Sequence, residues 1–194
     1  MTASRRIGAE SSKTRAALLD AAEQLMLDEG YAAVTSRRVA ARAGLKPQLV
    51  HYYFRTMDDL YLEVFRRRAE DGLERQAQVL GSAQPLRALW EFSNERGGTA
   101  LTMEFAALAR HRPAISSAIG AYAEEFRTQQ LASLADALRD HGIDPDDLPP
   151  VAVLVLMTSL SRMLVMEEGL EMSIGHAETR DLVERWLTEI EGPA

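Results

Sequence analysis

Hydrophobic residues recur at helical spacing along most of this chain. In the stretch from Lys13 to Glu29 they fall at positions i, i+3, i+4, i+7 and i+8, namely Leu18, Ala21, Ala22, Leu25 and Met26. No segment shows the strict alternation of apolar and polar residues that is typical of a half-buried strand. The pattern therefore predicts an all-α protein of about nine helices, the first of which ends at Gly30.

The segment from Thr35 to Phe54 predicts two short helices joined by a tight turn. Thr35 can cap the first helix, because its hydroxyl can accept a hydrogen bond from a free backbone N–H. Gly44 can adopt the positive φ that ends this helix, and Pro47 suits the first turn of the second. The apolar residues lie on one side of each helix, with Val39, Ala40 and Ala43 on the first and Val50 and Phe54 on the second. This is the pattern of a helix-turn-helix.

The opposite side of the second short helix is polar and aromatic. Gln48 and Tyr52 lie at its centre, and Leu49, His51 and Tyr53 flank them. Such a face favours contacts with the edges of DNA bases.

Lys46 stands at the expected N-cap of this helix, where Ser, Thr or Asp is preferred. Its positive charge opposes the helix dipole, and the missing cap costs about 0.5–2 kcal/mol. A nearby DNA phosphate would offset this cost. The alternative is that Lys46 is a solvated turn residue.

Six more helices are predicted downstream. Thr56-Met57-Asp58-Asp59 has the form of a capping box, and the helix that it opens extends to about Leu80. The next helix begins at Pro85 and is broken by Gly97-Gly98. The remaining four span about Thr99–Arg110, Pro113–His141, Val151–Glu168 and His176–Glu191. The run from Val151 to Met166 is apolar nearly all round, which predicts a buried helix, and it is too short and too polar for a membrane span.

The composition indicates a cellular location, and the charges are unevenly distributed along the chain. The 194-residue chain has no cysteine, which excludes disulfides and thiolate metal sites and fits a cytoplasmic protein. Its N-terminus is polar, so no signal peptide is expected. The net charge is −7, yet residues 1–55 contain nine basic and five acidic residues. A basic N-terminal segment on an acidic chain indicates nucleic-acid binding.

Two neighbouring stretches resemble the TetR (tetracycline-repressor-like) family of transcriptional regulators. They are AALLDAAEQLMLDEGYAAVTSRRVAARAGLKPQLVHYYF and, two residues later, MDDLYLEVF. The resemblance implies a three-helix DNA-binding domain at residues 13–70 and a helical-bundle domain for ligand binding and dimerisation at residues 71–194. It also implies a homodimer, a palindromic operator in double-stranded DNA and a small-molecule effector. No cofactor and no metal are expected.

The resemblance assigns DNA contacts by position. The candidate DNA-binding residues are Thr35, Arg37, Lys46, Pro47, Gln48, His51, Tyr52 and Tyr53. Two positions depart from the family pattern. His51 stands where the family usually has a tyrosine against a phosphate, and imidazole can make the same hydrogen bond. Met57 stands where the family usually has lysine or arginine, and a thioether cannot supply that phosphate contact.

Aromatic residues and methionines of the later helices are candidates for an apolar effector cavity. They are Trp90, Phe92, Met103, Phe105, Tyr122, Phe126, Met157 and Met163, and ordinary core packing is the alternative for each. Arg162 joins them because it lies inside an apolar run, where an unpaired cation is costly. It could pair with Glu104 or Glu124, leave the core at a dimer edge, or receive the acidic or carbonyl end of an acyl-like or sterol-like effector.

The last two helices are the expected dimer interface. The final helix places its apolar residues at i, i+1, i+4, i+5 and i+8, namely Leu182, Val183, Trp186, Leu187 and Ile190. Without a partner, Trp186 and its apolar neighbours would form an exposed hydrophobic patch.

Other functions fit the sequence less well than DNA binding. The four histidines form no His-Glu-x-x-His motif, and no Gly-Lys-Ser phosphate loop or strand-borne Gly-x-Gly occurs, so an enzyme is not expected. A helical scaffold that binds only protein is one alternative. A regulator controlled by a protein partner is another. We expect a repressor, although the sequence does not distinguish a repressor from an activator.

Overall fold

The computed structural model describes the backbone of residues 3–193 and the side-chain environments of residues 12–193. Within that range the chain forms nine α-helices and no strand, which confirms the all-α prediction. A 3-10 turn at Tyr31–Ala33 follows the first helix. The helices are α1 (Ala3–Glu29), α2 (Ser36–Arg42), α3 (Pro47–Tyr53), α4 (Met57–Leu80), α5 (Pro85–Ser93), α6 (Arg96–Arg110), α7 (Pro113–Asp140), α8 (Pro150–Gly169) and α9 (His176–Glu191).

The first helix is longer than the sequence pattern predicts. It begins at Ala3 rather than near Lys13. Half of the ten residues in this added stretch are strong helix formers, and its one glycine costs only about 1 kcal/mol relative to alanine. The added turns contain no apolar repeat, so the sequence pattern did not predict that the helix extends over them.

The break between α5 and α6 also differs from the prediction. α6 begins at Arg96, so Gly97 and Gly98 lie in its first turn and do not interrupt a helix. The break falls at Asn94, whose side-chain amide donates to the carbonyl of Trp90 at 2.7 Å. This local bond competes with continuation of the helix.

The chain divides into two compact units. The first, which we call the head unit, comprises the chain up to Ala69 together with Leu101–Tyr122. The second, the body unit, comprises Glu70–Ala100 and the chain from Ala123 onward. The functional boundary expected at residue 70 stays a prediction, because packing alone does not assign roles.

The head unit is built around the apolar side of α1. All five residues predicted to face inward are buried, namely Leu18, Ala21, Ala22, Leu25 and Met26. They share one core with Val39 of α2, Val50 of α3, Leu60 of α4 and Phe105 of α6. Each fully buried leucine in such a core stabilises the fold by about 1.5–3 kcal/mol. This core fixes the position of the helix-turn-helix.

The body unit has its own core, drawn from α4, α5, α7, α8 and α9. Its completely buried residues include Leu86, Leu89, Leu134, Leu138 and Leu187. The end of α9 contacts the start of α5, where the Glu191 carboxylate accepts from the backbone N–H groups of Leu86 (2.6 Å) and Arg87 (3.0 Å). Glu191 thereby satisfies helix-start donors that the N-cap residue Gln84 does not.

Helix α8 does not meet the expectation of a helix buried on all sides. Its buried stripe consists of Val153, Leu154, Met157, Ser161 and Leu164. The opposite side is exposed and includes Val151, Val155, Leu156 and Met163. The hydrophobicity of a run of residues does not show which sides of the helix are covered by other parts of the protein. The core of one chain covers only one side of α8.

By length and composition alone, α8 is the one helix in the described part of the chain that could cross a membrane. The helix extends over 20 residues and is therefore longer than the apolar run from which it was predicted. Its buried stripe nevertheless belongs to the body core, and a core helix meets the same two criteria.

Candidate nucleic-acid interface

The turn between α2 and α3 forms as the sequence predicts. Thr35 has an extended backbone, and its hydroxyl accepts from the backbone N–H three residues later at 3.4 Å. Gly44 has a φ of +68°, the left-handed conformation that favours glycine after a helix. The Leu45 N–H then donates to the Ala40 carbonyl at 2.8 Å, and Pro47 opens α3. These contacts confirm the helix-turn-helix.

The inner side of α3 is held firmly against the head core. Val50 is 1% exposed, and Phe54 directly after the helix is 2% exposed. The guanidinium of Arg15 in α1 lies over the Phe54 ring, 5.3 Å from its centroid. Lys46 makes no side-chain cap bond, as its residue type implies. The helix is therefore positioned by its inner side, and its outer side is left available.

The outer side of α3 is open to solvent. All eight candidate DNA-binding residues are exposed except Tyr53, which is half-buried against the core. The Tyr52 ring is 76% exposed and meets the Tyr53 ring edge to face, with the centroids 5.0 Å apart. Because Tyr53 is anchored, this contact restrains an otherwise free aromatic side chain. Gln48 and His51 lie beside it without a described partner.

Several arginines close to this surface are paired with acids of the same unit. Arg38 pairs with Glu29, and Arg42 pairs with Asp28. The hydrogen bond between Arg38 and Glu29 lowers the pKa of the carboxyl and raises the pKa of the guanidinium. Such a pair must open before its arginine can bind a phosphate fully. Fewer basic residues of the N-terminal segment are therefore available to bind phosphate than the sequence count implies.

Three basic residues around the helix-turn-helix have no acidic partner among the described residues. They are Arg37, Lys46 and Arg55, and all three are exposed. The sequence pattern did not identify Arg55 as a candidate DNA contact. Its position between the end of α3 and the capped start of α4 could have indicated one, because a helix N-terminus attracts phosphate.

The start of α4 is capped as predicted. The backbone N–H of Thr56 donates to the Asp59 carboxylate at 3.0 Å, and the backbone N–H of Asp59 donates to the Thr56 hydroxyl at 3.1 Å. This reciprocal pair is a capping box. Met57 in the same turn is half-buried against the head core. A thioether suits that position better than the ammonium group that the family pattern usually places there.

The helix-turn-helix, its caps and the first turns of α4 lie within residues 18–64. This segment matches the family described as bacterial regulatory proteins, tetR family. The match is confined to this segment of the 194-residue chain.

One relative is similar to this chain in sequence, and solved structures share its fold. The HTH-type transcriptional regulator BetI of Rhizobium meliloti (strain 1021) is 40% identical over 52 residues, which cover 27% of this chain and 26% of BetI. The match thus spans about a quarter of the length of that relative. The transcriptional regulator SCO7518 from Streptomyces coelicolor A3(2) has a TM-score of 0.64 at 23% identity, over 91% of this chain and 99% of that chain.

A third relative was solved with a ligand. The transcriptional regulator FadR from Bacillus subtilis, in complex with stearoyl-CoA, has a TM-score of 0.61 at 14% identity, over 79% of this chain and 88% of that chain. At such identities the structural likeness shows the fold alone.

Within the head unit, α4 and α6 hold the segment that leads into the helix-turn-helix. The backbone N–H of Tyr31 donates to the Glu104 carboxylate at 2.7 Å. The Tyr61 hydroxyl donates to the Val34 carbonyl at 2.9 Å, and burial raises the pKa of this phenol. Glu104 was one of the partners expected for Arg162. Its carboxylate caps the 3-10 turn that leads into the helix-turn-helix.

The candidate effector residues are distributed over both units. Trp90 and Met157 are buried in the body core, and Phe105 is buried in the head core. Phe92, Tyr122 and Phe126 are half-buried, whereas Met103 and Met163 are exposed. An open cleft of about 420 Å³ in the body unit is lined by Trp90, Glu91, Asn94, Arg96, Val165, Glu168 and Arg180. The residues that line the cleft are mostly polar, so a shared apolar cavity stays a prediction.

Arg162 lies on the exposed side of α8. No described carboxylate of the body unit, Glu124 included, forms an ion pair with it. Desolvation by the surrounding protein, and then the charge of Arg127, lower the pKa of its guanidinium. Arg162 is thus a cation without an anion among the described residues of its unit, on a helix side that is otherwise largely apolar.

The described residues contain no cluster suited to a metal ion, since no three or more His, Asp or Glu side chains come together. His176 is buried, and its Nε2 lies 2.8 Å from Oε2 of Glu167. This contact joins the end of α8 to the start of α9.

Proposed function

We propose that this protein is a transcriptional repressor that binds a pseudo-palindromic operator as a homodimer and leaves it when a small, largely apolar effector binds. The observation that carries the proposal is the outer side of α3. There Gln48 and Tyr52 are exposed between two cations, Lys46 and Arg55, that have no acidic partner among the described residues. The tetR head supports double-stranded DNA as the partner. We place this activity in the cytoplasm.

In this proposal α3 enters the major groove. Gln48 can form two hydrogen bonds with an adenine edge, and Tyr52 can contact a neighbouring base. Arg37, Lys46 and Arg55 then bind phosphates, which fixes the register of the helix without selecting a sequence. The split between reading and positioning residues makes the proposal testable by single substitutions.

The exposed side of α8 supports a homodimer. Val155 and Leu156 are exposed there, and Leu182 of α9 is 60% exposed. Clustered apolar area of this kind marks an interaction surface. A second copy related by two-fold symmetry would present two heads to two half-sites, whose centres lie about 34–36 Å apart in helix-turn-helix dimers or at a multiple of that distance.

An apolar effector is supported by FadR from Bacillus subtilis, the relative solved in complex with stearoyl-CoA. Stearoyl-CoA carries a long acyl chain, so a protein of this fold can accommodate one. In the present chain, Trp90 and Met157 already lie together in the body core and are the first residues to examine. Release requires only that the effector prefer the unbound conformation by about 1–3 kcal/mol.

A regulator controlled by a protein partner is the second candidate function. The loop between α8 and α9 favours it, because Leu170, Met172 and Ile174 are all exposed and Ile174 is completely so. The two candidates differ in one observable: a small molecule alone should release DNA from the repressor, whereas a protein-controlled regulator requires its partner.

The test is a mobility-shift assay followed by selection from a random duplex pool. The repressor should retard random duplex at low salt, bind it more weakly as salt rises, and recover a palindromic sequence. Addition of acyl compounds to the selected operator should then release it. Absence of any retarded band at low salt would overturn DNA binding and favour a helical scaffold.

A further inference from the structure

The body unit contains two buried polar groups that have no hydrogen-bond partner among the described residues. Gln76 of α4 is 2% exposed, and Ser161 of α8 is completely buried. The atoms concerned are the side-chain carbonyl oxygen (Oε1) of Gln76 and the hydroxyl oxygen (Oγ) of Ser161. Buried polar groups of native proteins nearly always have a partner, so two such groups in one unit require an explanation.

Both groups lie on helix sides that face the same apolar core. Gln76 is one turn before Leu80 on the same side of α4, and Leu80 belongs to the body core. Ser161 is one turn after Met157 in the buried stripe of α8. Met157 belongs to the body core together with Trp90. Two helices therefore each place one polar side chain toward a core of apolar side chains.

The helix itself does not satisfy the Ser161 hydroxyl. A serine or threonine within a helix can donate to the backbone carbonyl one turn earlier. Thr158 of α8 does so, since its hydroxyl donates to the Leu154 carbonyl at 2.7 Å. Ser161 in the same helix does not, although the same type of acceptor lies one turn before it. Its hydroxyl is therefore available to a partner other than its own helix.

The charges of the body unit indicate that this partner is neutral. Its two buried ionisable side chains already have partners, since Arg87 pairs with Glu184 and His176 contacts Glu167. No buried cation in the described part of this unit is left for an anionic ligand. A carboxylate placed in this core would lose its hydration without gaining a countercharge. A hydroxyl group avoids this cost, because it is uncharged and can both donate and accept a hydrogen bond.

We propose that Gln76 and Ser161 bind the hydroxyl group of a neutral, otherwise apolar effector in the core of the body unit. This inference rests on the proposed effector and deepens it, because it names the polar group that the effector carries. The ligand hydroxyl donates to Oε1 of Gln76 and accepts from the hydroxyl of Ser161. An apolar lining with a few placed polar groups is typical of small-molecule sites. Such a site discriminates against analogues that lack the hydroxyl, because its polar groups then stay unpaired.

Titration of the full chain without DNA tests the site. The probes are straight-chain alcohols from butanol to decanol, with the methyl ether and the sodium carboxylate of the same chain length. Calorimetry and tryptophan fluorescence measure binding, and the two tryptophans, Trp90 and Trp186, both lie in the body unit. We expect an alcohol to bind about tenfold more tightly than its ether, because only the alcohol donates to Gln76. The carboxylate should bind more weakly than the alcohol.

Two substitutions separate the roles of the polar groups. Gln76→Met removes the acceptor and should lower the affinity for the alcohol to that for the ether, while the affinity for the ether stays the same. Ser161→Ala should weaken both, because the oxygen of either probe accepts from this hydroxyl. Neither variant should lower the Tm of the ligand-free protein, since each removes a polar group without a partner. Gln78→Met and Ser159→Ala are the matched controls, because these residues are exposed on the same two helices.

The outcomes separate this inference from the proposed function. If no alcohol binds more tightly than its ether, the inference alone is overturned. A preference for the alcohol that persists in Gln76→Met overturns the role of Gln76. Variants that lower the Tm and leave every affinity unchanged show that the two groups are structural, as they would be if a buried water satisfied them. Alcohols that bind through Gln76 and Ser161 but release no operator DNA support the site and overturn its part in the proposed repressor.

Discussion

The salt dependence of DNA binding follows from the number of cations near α3 that have no acidic partner in the described part of the chain. Each head has three of them, Arg37, Lys46 and Arg55. A dimer would thus bind about six phosphates. At about −0.9 per phosphate, the slope of log affinity against log salt should be about −5, and affinity should fall about a thousandfold between 50 and 200 mM salt.

Arg55→Ala separates free arginines from paired ones. It removes one phosphate-binding group from each head, so the slope for a dimer should flatten by about 2 while the preferred sequence stays the same. Arg42→Ala removes the same charge, but Asp28 already binds this guanidinium. We therefore expect a much smaller change in slope for Arg42→Ala than for Arg55→Ala.

Fluorescence anisotropy with a labelled random duplex measures these slopes directly. Arg139→Ala is the control for loss of positive charge alone, because Arg139 is exposed in the body unit. If Arg42→Ala and Arg55→Ala flatten the slope equally, the ion pairs of the head do not withhold cations from DNA. The reasoning from paired and unpaired arginines would then be refuted.

Three further predictions concern other side chains of the head unit. Gln48→Ala and Tyr52→Ala should alter the preferred operator, because each removes a group that reads a base at about 1–3 kcal/mol of discrimination, and selection from a random pool measures the change. Met57→Lys should steepen the salt slope by about 0.9 for each added phosphate, because a lysine stem can follow the half-buried path of Met57 and place its ammonium in solvent. Burial raises the pKa of Glu63, but hydrogen bonds from Arg15 and Arg66 lower the pKa by a larger amount. The net shift of the pKa is therefore downward. Ionised Glu63 therefore adds stability above the usual pKa of glutamate, and this stability is lost as the pH falls through the lowered pKa. Glu63→Gln should reduce the acid sensitivity of thermal unfolding.

Each of these predictions has a matched control or a contradicting result. Gln78→Ala changes an exposed glutamine of α4 in the body unit and should not alter the operator. Unchanged operators for both Gln48→Ala and Tyr52→Ala would show that the outer side of α3 is not the reading surface. An unchanged slope for Met57→Lys would place the start of α4 away from the DNA backbone. If Glu63→Gln loses stability in acid as steeply as the wild type, other carboxylates account for the loss.

Local signals in the sequence were sufficient for the helix-turn-helix. The cap at Thr35, the left-handed Gly44 and the first-turn Pro47 each act within a few residues, and all three occur in the structure. The capping box at Thr56 is equally local and equally reliable. The inward face of α1 was predictable because its apolar period extends over two turns.

Ion pairs between helices could not be predicted from the sequence. The ion pairs of Arg38 with Glu29 and of Arg42 with Asp28 join α2 to the end of α1, and no spacing rule predicts them. The sequence did not reveal the exposed side of α8 for a related reason, since an apolar run looks the same whether one side of its helix is buried or all sides are. The roles of the DNA-binding and effector residues stay predictions, because exposure and packing do not identify a ligand.

The paired arginines of the head also bear on how the protein would search a genome. A regulator meets about 10⁶–10⁹ non-specific sites for each operator, and its residence time on them depends on how many phosphates it holds. With Arg38 and Arg42 occupied by Glu29 and Asp28, each encounter with random DNA should be brief. Loss of Glu29, as in Glu29→Gln, would free Arg38 and should lengthen each stop on non-specific DNA. In a head that binds an operator, the speed of reaching it would thus depend on the acidic residues that pair with its arginines.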